Sequence, residues 1–354
     1  MKKIIILNIL LFFAILATSV LTLAISIDFY KFITSKSSLK KIDKRVNLPI
    51  YKDLEWPSVH FEEEKLLKSS YYDYIGWKRD DFKGQTINIV NGYRLNKIEE
   101  DFNFKKDVWV FGGSTIWGSG VRDHETIPAY LEQITNISTL NLGEFGYTSS
   151  QELNLYIKNI ILHKPKVVLF YDGFNDVFHK CRSENNYYSG ARESFFKQKI
   201  MGEKYVQSYT INFFEPIKRI VAKFNLSVEK NSYFDCDKNQ NKSKKIAQVL
   251  VNNWKIANSI SKENNIKFVP ILQPVAYFTD SLVDHINLDE QIKLQFETVY
   301  PLIIEEINKN NLSYINLMDS LSDKKNFFID HVHLAPIGNK QIASDILKHD
   351  LMKN

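Results

Sequence analysis

The stretch DVWVFGGST, residues 107–115, is a short apolar run that ends in two glycines and a serine. An apolar run of this length without alternation, closed by turn residues, reads as a strand covered on both faces. A serine on a glycine-rich turn between strand and helix can expose its hydroxyl and offer its own N–H to a developing oxyanion. Ile116 stands where the G-x-S-x-G nucleophile elbow needs its last glycine, which argues against an α/β-hydrolase fold. Taken alone, Gly-Gly-Ser is also an ordinary loop.

Four more apolar runs follow: STLNL (138–142), KVVLFY (166–171), IKFVPIL (266–272) and YINL (314–317). Helical periodicity fills the gaps at Ile127–Ile134, Gln151–His163, Lys245–Glu263, Glu290–Asn308 and Pro336–Leu347. Strands alternating with helices predict a three-layer α/β/α fold, doubly wound around a mainly parallel five-stranded sheet. Such sheets bind ligands at the carboxyl ends of their strands, so the residues just after each strand matter most.

After the second run comes Asn141-Leu142-Gly143-Glu144-Phe145-Gly146-Tyr147-Thr148, whose glycines could donate a backbone N–H or simply make a turn. The third run ends in Asp172-Gly173-Phe174-Asn175-Asp176. Asn175 could aim its amide at an oxyanion, while the plainer reading is a turn with Asp176 capping the next helix. Near the carboxyl end stands Asp330-His331-Val332-His333-Leu334-Ala335-Pro336. The three-residue spacing lets the Asp330 carboxylate reach Nδ1 of His333, fix its tautomer and stabilise the imidazolium. His331 makes an H-x-H pair that could suggest a metal, but no acidic or His cluster elsewhere completes a site.

In the order Ser114, Gly146, Asn175 and Asp330-x-x-His333, these four blocks resemble the SGNH (GDSL-type) hydrolase superfamily, over roughly Asp107–Leu347. The resemblance implies a flavodoxin-like sheet and a catalytic triad of Ser114, His333 and Asp330. It implies an oxyanion hole from the N–H groups of Ser114 and Gly146 (Gly143 less readily) and the amide of Asn175. It implies acyl transfer through an acyl-enzyme, with no metal and no organic cofactor. The first block departs from the family pattern, reading Gly-Gly-Ser-Thr rather than Gly-Asp-Ser-Leu, which touches the subfamily more than the catalysis. The tract Gly76-Trp77-Lys78, Ile87-Asn88 and Gly92-Tyr93-Arg94 resembles the lead-in of some bacterial members.

Upstream, Lys2 and Lys3 precede an apolar run from Ile4 to Ile27. Its length suits an uncleaved membrane helix better than the roughly 7–15-residue core of an export signal. Phe29, Tyr30 and Phe32 fit an interfacial belt. Lys31, Lys36, Lys40, Lys41, Lys44 and Arg45 follow the run, so a strict positive-inside count would keep the main domain cytoplasmic. Large domains translocate largely regardless of charge, and the expectation is a single-pass protein with an extracytoplasmic catalytic domain. The expected organisation is an anchor at 1–28, a membrane-proximal stalk at 29–69, a β-rich lead-in at 70–106 and a hydrolase domain at 107–350. Thr86–Val90 followed by Asn91-Gly92 signals a hairpin. Residues 178–243 break the alternation and read as an insertion, with helices near Ala191–Lys199 and Thr210–Phe224. Cys181 and Cys236, the only two cysteines, could close a loop there or remain free thiols.

The 354 residues are 44% hydrophobic and 25% charged, which is ordinary globular composition. The net charge of +5 is spread without a basic tract, so no nucleic-acid partner is expected. Trp117, Phe145, Tyr147, Phe174, Tyr187 and Tyr188 could wall a site for an acylated cell-envelope glycan or for a lipid acyl chain, or could pack the core. The expected activity is ester hydrolysis. An O-acyltransferase of polysaccharide modification and a lipase-like esterase are the alternatives, with a silent glycan-binding module behind them.

Overall fold

The computed structural model describes residues 2–39, 43–97, 102–192, 196, 233–278, 283–323 and 325–349. Two compact units divide the chain, residues 1–42 with 194–232 and residues 43–193 with 233–354. The helix expected near Thr210–Phe224 lies outside the described residues. So does the one expected at Ala191–Lys199, apart from Ala191, Arg192 and Phe196.

The first unit contributes helix α1, Lys2–Leu39. Within it, Lys3–Ile27 is long and apolar enough to cross a membrane, a property that an export signal shares. Its hydroxyl side chains are satisfied locally. Ser19, Thr22 and Ser26 each donate to the carbonyl four residues back at 2.8 Å, so no hydroxyl needs water at membrane depth.

The second unit begins with two single 3-10 turns, Lys44–Asn47 and Pro49–Tyr51, and helix α2, Trp56–Leu66. This stretch falls in the expected stalk, yet it folds onto the main body. Tyr51 and Phe61 pack with Ile329 and Ala335, flanked by Val46, Leu48, Ile50 and Trp56. Those apolar residues are interleaved with charges, so composition averaged over the segment hides them.

The lead-in forms two small antiparallel sheets. One pairs β1, Ser69–Tyr72, with β2, Gly76–Arg79; the other joins β3, Phe82–Lys83, β4, Asn88–Val90, and β5, Tyr93–Arg94. Val90 pairs with Tyr93 across Asn91 and Gly92, both at positive φ (52° and 72°), as a two-residue hairpin turn requires.

The central sheet holds β6, Val108–Gly112, β7, Thr139–Gly143, β8, Val167–Asp172, β9, Lys267–Leu272, and β10, Ile315–Asn316. All neighbours run parallel, in the order β10-β9-β8-β6-β7. Helices α3, Ser114–Trp117, α4, Ile127–Thr135, α5, Ser149–Ile160, α6, Phe174–Lys180, α7, Gln240–Glu263, α8, Glu290–Lys309, and α9, Pro336–Leu347, alternate with them.

The pleat explains why both faces are apolar. Successive side chains of a strand point to opposite faces. Val108 and Val110 pack with Leu131 of α4 and Ile342 and Ile346 of α9 on one face. Trp109 and Phe111 face the other way, into an aromatic cluster with Tyr156 of α5, Phe170 and Phe268. Every residue of β6, β7 and β8 is buried. From β6 the chain turns one way to β7 and then crosses back to β8. This reversal opens a crevice above the carboxyl ends of β6 and β8.

Cys181 and Cys236, left open between pairing and free thiols by the sequence, form a disulfide. It ties the end of α6 to the approach to α7 across a sequence separation of 55. Replacing both cysteines by serine is expected to cost about 2–5 kcal/mol of unfolding free energy, through the lost constraint on the unfolded chain. Urea unfolding of the oxidised protein and the double variant measures it, and coincident curves would contradict a constraining role.

Candidate active site

Strand β6 ends at Gly112, Gly113 caps the next helix, and α3 begins at Ser114. As the first residue of a helix, Ser114 has a backbone N–H without an intrahelical acceptor. A Cβ on Gly113 would lie 2.2 Å from Nδ2 of Asn175, so only glycine lets Asn175 approach the serine turn this closely. Asn175 stands in the first turn of α6, directly above β8, and its amide donates to the Tyr147 carbonyl at 2.7 Å. Gly146, the residue before Tyr147, holds the left-handed φ of +74°. The other glycine of that block, Gly143, has its N–H taken by Oδ1 of Asn141 at 3.0 Å. Ser114 and Asn175 thus meet across Gly113, and Gly146 lies one residue before the carbonyl that Asn175 holds.

The Asp330/His333 loop is drawn tight by its own backbone. Ile329 N–H donates to the His333 carbonyl and Ala335 N–H to the Phe327 carbonyl, both at 2.8 Å. Oδ1 of Asp330 accepts from the N–H groups of Val332 (2.9 Å) and His333 (2.8 Å). Its Oδ2 is left for Nδ1 of His333 at 2.7 Å. On the far side of the ring, Nε2 lies 2.7 Å from Oγ of Ser114, 219 residues away in sequence. The consistent tautomer carries the proton on Nδ1, with Nε2 accepting from the hydroxyl.

Burial works against charge on both His333 and Asp330, but each supplies the other's counter-charge. His333 and its hydrogen bonds hold the Asp330 carboxyl well below the usual carboxylate range. Asp330 in turn raises His333 above the ordinary 6.5. A hydroxyl bonded to such an imidazole can pass on its proton as it attacks a carbonyl. All five residues singled out in the sequence are partly exposed, whereas Gly113, Thr115, Phe174, Asp176, Val332 and Leu334 beside them are buried.

Other expectations land elsewhere. His331 stacks on Phe174 at 5.2 Å between ring centroids rather than joining His333 in a ligand pair. Among the described residues, no group of three His, Cys, Asp or Glu side chains could hold a metal ion. Trp117, Tyr147 and Phe174 are buried and serve as packing, and Phe145 lies half-buried against Trp117. Tyr187 and Tyr188 keep exposed faces. Asp176 does not cap α6, since Gly173 occupies that position.

Asp176 instead accepts from the N–H (2.9 Å) and hydroxyl (2.7 Å) of Ser149 and pairs with Lys180. Beside it, Asp172 accepts from the Trp254 indole at 2.6 Å, and both carboxyl oxygens of Glu152 are buried without a hydrogen-bond partner among the described residues. A buried carboxyl without a partner favours its protonated form. Burial, then the charge of Asp176, pushes Asp172 up to about 7; burial, then Asp172, pushes Glu152 well up. Asp176 thus ties the first turn of α5 to the first turn of α6, and with them the two segments that carry Gly146 and Asn175.

Sequence reading also passed over Arg94 as more than a motif residue. It is fully buried, pairs with Asp123 at 2.9 Å and donates to the carbonyls of Trp117, Gly118 and Val121. It thereby satisfies the carboxyl end of α3, whose other end is Ser114. The available signal was an arginine directly after a strong hairpin turn in an apolar setting.

The model of the GDSL-like lipase/acylhydrolase family matches residues 108–346, more than half of the chain. The chain belongs to the GDSL-like lipase/acylhydrolase family. It is accordingly an ester-hydrolysing enzyme of the SGNH superfamily. No curated protein compared with it matches. Among solved structures, it is similar to an acetyl xylan esterase, AlAXEase, at 17% identity over 68% of this chain and 98% of that one, with a TM-score of 0.40. It is similar to a member of the lipolytic G-D-S-L family from Veillonella parvula at 12% identity, over 68% and 96% of the two chains (TM-score 0.40). A carbohydrate acetylesterase family member from Sinorhizobium meliloti is 13% identical over 70% and 100%, with a TM-score of 0.39.

The buried carboxyls of this GDSL-family enzyme predict a pH effect on stability. Asp172 and Glu152 hold protons in the folded state that the unfolded chain releases near pH 4. The Asp172 contribution is complete below that pH and is lost as pH rises through about 7, and Glu152, raised too, acts in the same direction. Unfolding free energy should therefore fall between pH 6 and 8, and Glu152→Gln, neutral throughout, should flatten the fall. Urea unfolding at both pH values tests this; the same pH dependence in both proteins would contradict a proton held by Glu152 in the folded state.

Proposed function

We propose that Ser114 is the nucleophile of an esterase acting on an acylated glycan of the cell envelope. The observation that carries the reaction is the 2.7 Å contact between Ser114 Oγ and His333 Nε2, continued at 2.7 Å from Nδ1 to Asp330. His333 takes the hydroxyl proton as Oγ attacks the ester carbonyl. The N–H groups of Ser114 and Gly146 and the amide of Asn175 hold the tetrahedral oxyanion. His333 then protonates the departing alcohol, and water releases the acyl group by the same route.

Support for the glycan comes from two neighbouring aromatics. Tyr188 is exposed and Tyr187 half-buried in an otherwise polar segment, a surface suited to the C–H face of a sugar ring. Support for an extracytoplasmic, membrane-tethered enzyme comes from two features that agree. One is the apolar helix α1; the other is the Cys181–Cys236 disulfide, which persists in oxidising compartments.

Hydrolysis of p-nitrophenyl acetate and of acetylated oligosaccharides tests this reading. Ser114→Ala is expected to lower kcat by about 10⁴–10⁶-fold and Asp330→Asn by about 10⁴-fold. Asn175→Ala should cost about 10²–10³-fold. Because His333 must be neutral to accept the proton, and Asp330 raises it, the acid limb of kcat/KM should have its midpoint above pH 6.5. Activity retained by Ser114→Ala would overturn the mechanism, and turnover confined to long acyl chains would overturn the glycan.

A further inference from the structure

Residues 43–66 precede the region that the family model matches, yet they hold both halves of the site. On the serine side, Oε1 of Glu64 accepts from the Ser119 hydroxyl at 2.5 Å, and Ser119 N–H donates to the Ser114 carbonyl at 3.0 Å. The Tyr51 hydroxyl donates to the Gly120 carbonyl at 2.6 Å, and Gly120 N–H donates to Nε2 of His60 at 3.1 Å. On the histidine side, Tyr51 and Phe61 pack with Ile329 and Ala335, which bracket Asp330 and His333. The segment therefore grips two stretches that meet only at the site. Arg45 fixes Glu64 in turn. Its Nη2 lies 2.8 Å from Glu64 and 2.9 Å from Asp43, and its guanidinium stands 4.2 Å over the Phe61 ring.

We propose that residues 43–66 are an integral clamp of the active site, and that the Glu64–Arg45 pair within it positions the Ser114 turn against the Asp330/His333 loop. The inference rests on the assignment of Ser114 and His333 above. Glu64 reaches Ser119 on the serine side, and Arg45 lies over Phe61, which packs on the histidine side, so the pair joins the two.

The test measures kcat and KM for p-nitrophenyl acetate in the full-length, detergent-solubilised protein, with urea unfolding of each variant beside it. Glu64→Gln and Arg45→Met are each expected to lower kcat by about 10–100-fold with KM little changed, a split that a general loss of fold would not give. Arg45→Lys keeps the pair with Glu64 and should keep most of kcat, so the comparison stands even if Arg45→Met does not fold. An unchanged kcat in Glu64→Gln, or a KM that rises as kcat falls, would overturn the proposal. That outcome is distinct from a failure of Ser114→Ala to abolish hydrolysis, which would overturn the reading of the site itself.

Discussion

The reversal of strand order between β6 and β8 is the constraint on which the rest of this structure depends. Two neighbouring parallel strands send their chains to opposite sides, which opens a crevice at their carboxyl ends. Ser114 begins the helix after one strand and Asn175 lies in the first turn after the other. Their closeness is possible because Gly113 has no Cβ to exclude the amide. The Asp330/His333 loop, which precedes α9, then needs only to reach over the crevice.

What fixes such a site is largely buried charge. Isolated ions below a parallel sheet would cost several kcal/mol each, so they occur here as paired sets. Arg94 with Asp123 holds the carboxyl end of α3. Asp176, paired with Lys180, joins the segments that carry Gly146 and Asn175 through its bonds to Ser149. Each set spans elements that are distant in sequence, and each places a backbone that touches the crevice. Pairing of this kind favours one arrangement over its alternatives because a shift by one residue would strand a charge.

The parallel sheet was legible because its strands are uninterrupted apolar runs: VWVF, TLNL and VVLFY appear as β6, β7 and β8 within a residue of their expected bounds. The site residues were legible because fixed local spacing carries them, with Asp330 three residues before His333 and Asn175 three after Asp172. What spacing could not reveal is contact across the chain. Glu64 meets Ser119, and Trp254 meets Asp172, through the fold alone. The segment after α1 looked like a polar stalk because its apolar residues, Val46, Leu48, Ile50 and Trp56, are scattered among charges and show a common face only once folded. The six aromatics divided for a similar reason. Whether Trp117 or Tyr188 faces the solvent depends on what packs over it, and the local sequence does not say.

The most direct test of the central claim is the intact mass of the protein quenched within a single turnover of an acetyl ester, followed by peptide mapping. The account predicts one added acyl group, located on Ser114 and absent from Ser114→Ala. Turnover without any covalent adduct, or an adduct on a different residue, would contradict it.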